Sequence, residues 1–378
     1  MKKKIIKPFY FDISSKERKK IINIFNKILA SGNLILGNYT KKFEQMFANF
    51  LKVKYCISVN SGTSALQVLL QYFIKGKNQK VAVASNTNFA SVASILYSGG
   101  SPVYLDICKK TFVPCYTKFV SAHQKEKFKG VLWVHIGGII TPDFFKILNY
   151  CKKNKIFLLE DCAHSHGSSF MGKQSGSCSN GGAFSFFPTK VMTTMEGGMI
   201  STNSKKVYKF ALSMRNQGKR GGNYGGLHSD FGNSWRISEI AAYLGIVQLN
   251  KLKIMLKKRK LIYEIYANYF KKNNIFFCKT DHMNSASNYK MIVFAKNKIH
   301  KINLKKKLSL YGVICGGEVY ETPCHKQPVF KRLNKKKLSL PATEKFCPSH
   351  FCPPLTSGMS KEDAIYCAEK ICHLYHKI

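Results

Sequence analysis

The stretch KYCISVNSGTSALQVLLQYFI, residues 54–74, holds the change of pattern that decides the fold. Its first six residues are short and apolar, as in a strand buried on both faces. An Asn60-Ser61-Gly62 turn then leads into Thr63, Ser64 and apolar residues at helical spacing. The same alternation continues through KVAVAS, FASVASILYSG, PVYLDI, GVLWVHI, PDFFKILNYCKKN and IFLLEDCA, and lasts to about residue 205. Apolar strands of that length separated by helices predict an α/β fold with a mostly parallel central sheet flanked by helices.

Upstream, SSKERKKIINIFNKILA opens with Ser14 and Glu17 three residues later, a capping box ahead of a helix, and YTKKFEQMFANFL reads as a second helix. Downstream comes the glycine-rich QGKRGGNYGGLHSDFGN, followed by long helical patterns in WRISEIAAYLGIVQL and KKRKLIYEIYANYF. Shorter elements close the chain: YKMIVFA as a strand, INLKKKLSLYG as a helix and SKEDAIYCAEKICHLY as a capped last helix. The expected division is a large domain over residues 1–250, with an N-terminal helical segment, and a smaller C-terminal α/β domain over 251–378.

The 378 residues carry 61 Lys+Arg against 19 Asp+Glu, a net charge of +42 that would attract nucleic acid, anionic membrane or phosphorylated ligands. Six of the basic residues are arginine and the lysines run from Lys2 to Lys377 without clustering, which argues for a solvated surface over a nucleic-acid footprint. MKKKIIKP lacks the apolar core of a signal peptide, and no 18-residue apolar run exists, so a cytoplasmic chain without a membrane span is expected. Thirteen cysteines without regular spacing point to free thiols in a reducing compartment. FCPSHFC places Cys347, His350 and Cys352 together, but no second ligand pair of matching spacing follows, so no metal is expected there.

Three stretches carry chemistry. At Gly62, Thr63 and Ser64 a strand enters a helix, whose free N–H groups and positive dipole suit a phosphate; a simple capped junction is the bland alternative. FLLEDCAHSHGSSF delivers Glu160 and Asp161 at the carboxyl end of a strand, where ligands of open α/β sheets sit, with His164 and His166 just beyond. A metal held by Asp161, His164 and His166 is a further option, against which the tight turn counts. AFSFFPTKVMTTMEGGMIST sets Lys190 after an aromatic run, five residues past Ser185, where desolvation would make its amine a nucleophile toward carbonyls. An anion cup, an acid at a strand end and a desolvated lysine are together what pyridoxal 5′-phosphate (PLP) requires.

The chain resembles the sugar aminotransferases of the DegT/DnrJ/EryC1/StrS family, which have the aspartate-aminotransferase-like, type I PLP fold. The resemblance covers nearly the whole chain. It rests on LGNYTKKFEQMFANFL, VNSGTSALQ, NTNFASVASILYSGGSPVYLDI, EDCAHSHGSSFMGKQSG, AFSFFPTKVMTTMEGGMIST, MRNQG, GNSWRISEIAAYLGIVQL and, more weakly, ETPCHKQPVF, all in order. It implies that Lys190 takes the cofactor aldehyde and moves the proton, that Asp161 pairs with the pyridinium nitrogen, and that His164 contacts the ring or its 3-hydroxyl. Gly62, Thr63, Ser64 and Ser185 would then hold the phosphate.

The resemblance further implies a homodimer with shared active sites, in which an Asn reaches the partner's phosphate. Here Ser234 occupies that place with Asn233 just before it, and Asn233 is the preferred candidate. Where relatives carry a ring-stacking aromatic, Asn88 stands with Phe89 next, and Gln217 replaces a common His in MRNQG. The implied reaction moves an amino group from glutamate or glutamine to a keto group of a nucleotide-linked deoxysugar, for surface polysaccharide or amino-sugar biosynthesis. Two competitors remain: a PLP- or PMP-dependent sugar dehydratase, in whose best-known branch histidine replaces the lysine, and a basic nucleic-acid-binding regulator.

Overall fold

The computed structural model describes residues 4–220, 226–333 and 338–378. The chain opens with α1 (Ser15–Ser31), capped by the Ser14–Glu17 box, and α2 (Asn38–Leu51). The alternating region follows as β1 (Tyr55–Val59), α3 (Gly62–Phe73), β2 (Gln79–Ala84), α4 (Phe89–Tyr97), β3 (Gly100–Leu105), α5 (Tyr116–Glu126), β4 (Gly130–Val134), α6 (Asp143–Lys153) and β5 (Phe157–Asp161). A small hairpin, β6 (Ser169–Phe170) and β7 (Lys173–Gln174), precedes β8 (Gly181–Ser185), β9 (Gly198–Thr202) and α7 (Lys205–Arg215). Then come α8 (Glu239–Lys272), β10 (Val293–Phe294), α9 (Lys298–Leu310), α10 (Pro328–Lys331), α11 (Pro341–Phe346), β11 (His350–Phe351) and α12 (Lys361–Lys377).

Seven strands form one sheet in the order β1-β9-β8-β5-β4-β2-β3. Only β9 runs against its neighbours, pairing antiparallel with β1 and β8; the other pairings are parallel. The parallel strands are apolar on both faces because helices cover both. The carboxyl ends of β1, β5 and β8 therefore open on one edge, where the loops to α3, to the small hairpin and to β9 begin.

The two long helical patterns expected around residues 235 and 257 are one helix of 34 residues, α8, because no Pro interrupts them and Asn250 between them is carried within the helix. Its first half buries Leu252 and Met255 in the core of the sheet, beside Phe43, Phe47, Phe184 and Phe186. Its second half buries Ile262, Tyr266 and Phe270 in a separate core with Leu304, Phe351, Cys367 and Ile371. The division expected at 250/251 thus falls inside a continuous helix that serves both cores. Ile6 packs in the second core, where its backbone exchanges hydrogen bonds with Gly312 and Ile314. The expected YKMIVFA strand shrinks to the two residues of β10.

Candidate active site

At the start of α3 the Ser61 side chain caps the helix by accepting from Ser64 N at 3.0 Å. Ser64 spends its own hydroxyl on Asn60 Oδ1 (2.6 Å) and Ser61 Oγ (2.8 Å), so it serves the cap and does not line the cavity. Gly62 and Thr63 do line it, and their N–H groups have no intrahelical acceptor. A Cβ on Gly62 would lie 2.6 Å from Ser185 Cβ, so only glycine lets the end of β8 approach this helix start. Two open amides and the Ser185 hydroxyl converge there on a cup of phosphate size.

β5 ends in two carboxylates that point to opposite faces, as the two-residue period of a strand requires. Glu160 turns inward and takes N–H groups from Gly176 (2.9 Å), Cys178 (3.1 Å) and Ser179 (3.2 Å), together with His135 Nε2 at 2.9 Å. Asp161 turns to the cavity, where Oδ2 accepts from Ser91 Oγ at 2.8 Å and Oδ1 from Ala163 N at 3.1 Å. Burial pushes its carboxyl above the usual range, against the pull of those bonds and of Lys190.

Lys190 sits in the β8–β9 connection, a closed turn held by Lys190 N to Phe187 O (2.9 Å), Thr194 N to Phe186 O (3.0 Å) and Phe186 N to Gly197 O (2.9 Å). Its Nζ lies 5.1 Å from the centre of the Tyr289 ring. Burial pushes its amine down to about 8; Asp161 opposes that shift and Lys290 adds to it. An amine so placed is partly neutral near physiological pH and able to attack a carbonyl.

His164 is stacked on Tyr289, with ring centres 4.3 Å apart and 21° between planes. Its Nδ1 accepts from Gly137 N at 3.3 Å, so the ring proton resides on Nε2, which donates to Tyr320 Oη at 3.2 Å. Burial holds this imidazole well below its ordinary proton affinity, and it is neutral. His166 instead packs against Phe184 and Phe186 and does not line the cavity. Asp161, His164 and His166 therefore do not converge on a metal position. Among the described residues, the metal-capable side chains that come together are His135, Glu160 and Cys162. Their carboxylate already takes three backbone N–H groups, which marks a hydrogen-bonded support for β5.

These groups line a cavity of ≈ 360 Å³, within the ordinary range for small-molecule sites. Asn88 lines it too, with Oδ1 committed to capping α4 through Ala90 N at 2.9 Å. Phe89 turns out of it and stacks on Phe330 with ring centres 5.3 Å apart. Asn233 and Ser234 are exposed: Asn233 Oδ1 accepts from Ser234 N at 2.7 Å, and Ser234 Oγ bonds Arg236. Neither lines this cavity. Gln217 holds its backbone to Asn233 O at 2.9 Å; of the glycine-rich segment Gly218–Gly226, residues 221–225 lie outside the described set. The cavity also uses Tyr320, with Tyr289 beneath Lys190, and neither stands out in the sequence, because each lies in an irregular connection without a motif.

The model of the DegT/DnrJ/EryC1/StrS aminotransferase family matches residues 15–372. The chain belongs to that family.

Among its relatives in this family is the GDP-perosamine synthase of Escherichia coli O157:H7, 32% identical over 235 residues, 61% of this chain and 62% of that protein. The chain thus matches about three fifths of the length of such synthases. A UDP-4-amino-4,6-dideoxy-N-acetyl-beta-L-altrosamine transaminase of Campylobacter jejuni is 27% identical over 364 residues, 94% of this chain and 95% of that protein. A solved Streptococcus pneumoniae chain assigned as a sugar aminotransferase, in its PMP form, superposes with a TM-score of 0.87 at 25% identity, covering 99% of this chain and 97% of that one. The family fold is thus the one described above, a mostly parallel sheet between helices with a smaller C-terminal unit.

Proposed function

We propose that this family member is a PLP-dependent aminotransferase that places an amino group on a keto carbon of a nucleotide-linked sugar. The observation that carries the reading is Lys190 and Asp161 facing one cavity whose floor presents the open N–H groups of Gly62 and Thr63. This cup, cut to shape by the clash a Gly62 side chain would make with Ser185, fits a phosphate; the buried acid and the desolvated amine fit the ring nitrogen and the aldehyde.

PLP would supply there an electron sink for a carbanion next to nitrogen. Gly62, Thr63 and Ser185 would anchor the phosphate, and Asp161, kept in place by Ser91 and Ala163, would hold a proton on the ring nitrogen. Lys190 would hold the cofactor at its aldehyde and, as base and acid, would carry a proton at the substrate carbon in each half of the transfer. His164, neutral and stacked on Tyr289, presents a ring of fixed tautomer to the cofactor. Glutamate is the expected donor, the net charge of +42 suits an acceptor carrying a diphosphate, and a role in surface polysaccharide or amino-sugar assembly follows. A retained lysine favours amino transfer over sugar dehydration, since an amine has to bind and release the aldehyde in both halves. A cytoplasmic homodimer completes the reading, with Asn233 or Ser234 reaching the partner's phosphate. Among the described residues no helix is long and apolar enough to cross a membrane.

The test is to load the chain with PLP and add glutamate. The visible absorption of the lysine-bound cofactor should give way to that of the aminated cofactor, and a nucleotide keto sugar should restore it while gaining an amino group by mass. No spectral change with glutamate or glutamine would sink the reading.

A further inference from the structure

Arg259 is buried in the second half of α8, and no carboxylate pairs with it among the described residues. Its guanidinium instead donates to three successive carbonyls: Nε to Ser287 O and Asn288 O, both at 3.2 Å, and Nη2 to Tyr289 O at 3.0 Å. Three consecutive carbonyls reach one fork because Asn288 has φ 45°, a left-handed turn that Asn tolerates better than most residues. Burial without a counter-charge pushes even this group down to about 10. Such a charge is expensive to bury, so its placement calls for a reason beyond filling space.

The segment it grips carries the ring shared by the two active-site bases. Tyr289 stacks on His164 at 4.3 Å and lies 5.1 Å beneath Lys190 Nζ, and its hydroxyl is 3.4 Å from Thr189 Oγ1, next to the lysine. Ser287, in the same segment, donates its hydroxyl to His164 O at 2.6 Å and accepts from Tyr289 N at 3.3 Å. We propose that Arg259 is a positioning residue for the reactive amine: by holding the carbonyls of Ser287, Asn288 and Tyr289 it keeps the Tyr289 ring under Lys190 and against His164. This rests on the reading of Lys190 as the reactive amine.

The groups that face Lys190 fix the sign of the consequence. Asp161 from β5 favours its charged form and Lys290 beside Tyr289 opposes it; His164 and His166 beyond that strand are neutral and add no charge, and Tyr320 and Glu196 line the same cavity. Burial outweighs all of these for Lys190, and the Tyr289 ring is part of what buries it. A ring freed from its clamp admits water, and the amine regains protons. The cation–π attraction lost at the same time acts the other way, but at this distance it is the smaller effect.

The experiment follows acylation of Lys190 by an amine reagent across pH, in the full-length cofactor-free chain, by peptide mapping. In the wild type the midpoint should fall near 8. Arg259→Lys keeps the charge but replaces the planar fork, and should raise the midpoint by about one pH unit. Tyr289→Leu should raise it similarly, and the double variant should shift it no further than Tyr289→Leu alone, because both act through one ring. A folded Arg259→Lys chain that titrates like the wild type overturns the proposal, as does full additivity. Should Arg259→Lys fail to fold, Tyr289→Leu decides: an unmoved midpoint there also overturns it. A wild-type Lys190 that labels in the ordinary lysine range sinks both this proposal and the functional reading, whereas a depressed wild-type midpoint unmoved by the variants sinks this proposal alone.

Discussion

Glu160 and Asp161 share a peptide bond and serve opposite sides of β5, one clamped by three backbone N–H groups and His135, the other open to the cavity through Ser91. Their removal should therefore separate stability from chemistry. Glu160→Gln puts an amide NH₂ against N–H donors in a fully buried place and should cost about 2–4 kcal/mol in denaturant unfolding. Asp161→Asn should leave the fold within about 1 kcal/mol and lower turnover roughly 10²–10⁴-fold. Equal destabilisation by both, with activity following stability, would contradict this division.

Lys190 should leave a mark on the pH dependence of stability. Burial takes its amine from the ordinary 10.5 down to about 8, so between those values the unfolded chain holds a proton that the folded chain lacks. Stability then rises with pH through that window, and below about 8 the folded state carries the whole cost of the buried charge. Lys190→Met should accordingly raise the stability of the cofactor-free chain at pH 7, by on the order of 1–3 kcal/mol. It should also abolish the visible absorption after PLP is added. A melting temperature unchanged by the substitution at both pH 7 and pH 11 would refute the shift.

At the helix start, glycine and serine have distinct tasks. Gly62→Ala would set its Cβ 2.6 Å from Ser185 Cβ and close the cup, so PLP affinity should weaken at least tenfold, about 1.4 kcal/mol. Ser64→Ala removes a hydroxyl engaged with Ser61 and Asn60, which should cost about 1 kcal/mol of stability and leave PLP affinity nearly unchanged. Titrating the cofactor into both variants by fluorescence distinguishes the two.

A third buried carboxylate ties distant parts of the chain together. Glu239, at the start of α8, accepts from Gly37 N (3.0 Å), Tyr39 N (2.8 Å) and Thr40 N (2.9 Å), and from the Thr40 hydroxyl, capping α2 across some 200 residues. Glu239→Ala should destabilise by about 3 kcal/mol, since four donors lose a charged acceptor at once. A change below about 0.5 kcal/mol in chemical denaturation would show that water replaces it freely.

The alternation of strand and helix from residue 54 to about 205 was legible because each segment's period is local. KVAVAS and IFLLEDCA are strands in the structure much where their patterns place them. Element ends and the reversed strand were less so. GGAFS and GMIST look alike as apolar runs, and the direction of β9 follows from the turn that carries Lys190 and from the pairing with β1. Phe89 shows the same limit at the site: its position next to Asn88 suggests a ring over the cofactor, yet the N-cap at Asn88 rotates the next residue outward, onto Phe330.

By itself the sequence determined the α/β class, the helix start at Gly62, the acid at Asp161 and the lysine at 190, since each depends on residue type and nearest-neighbour spacing. Tertiary structure alone decided what these residues meet. Gly62 approaches Ser185 because the start of α3 crosses β9 at Gly198, which leaves it room, and packs on β8. Tyr320 reaches the cavity and Tyr289 reaches Lys190 because the segment after α8 folds back over the sheet, with Arg259 gripping it from within that helix. Contacts of such separation leave no periodic trace, because a buried tyrosine in an irregular connection, or a buried arginine within a helix, takes its role from the surface it is pressed against.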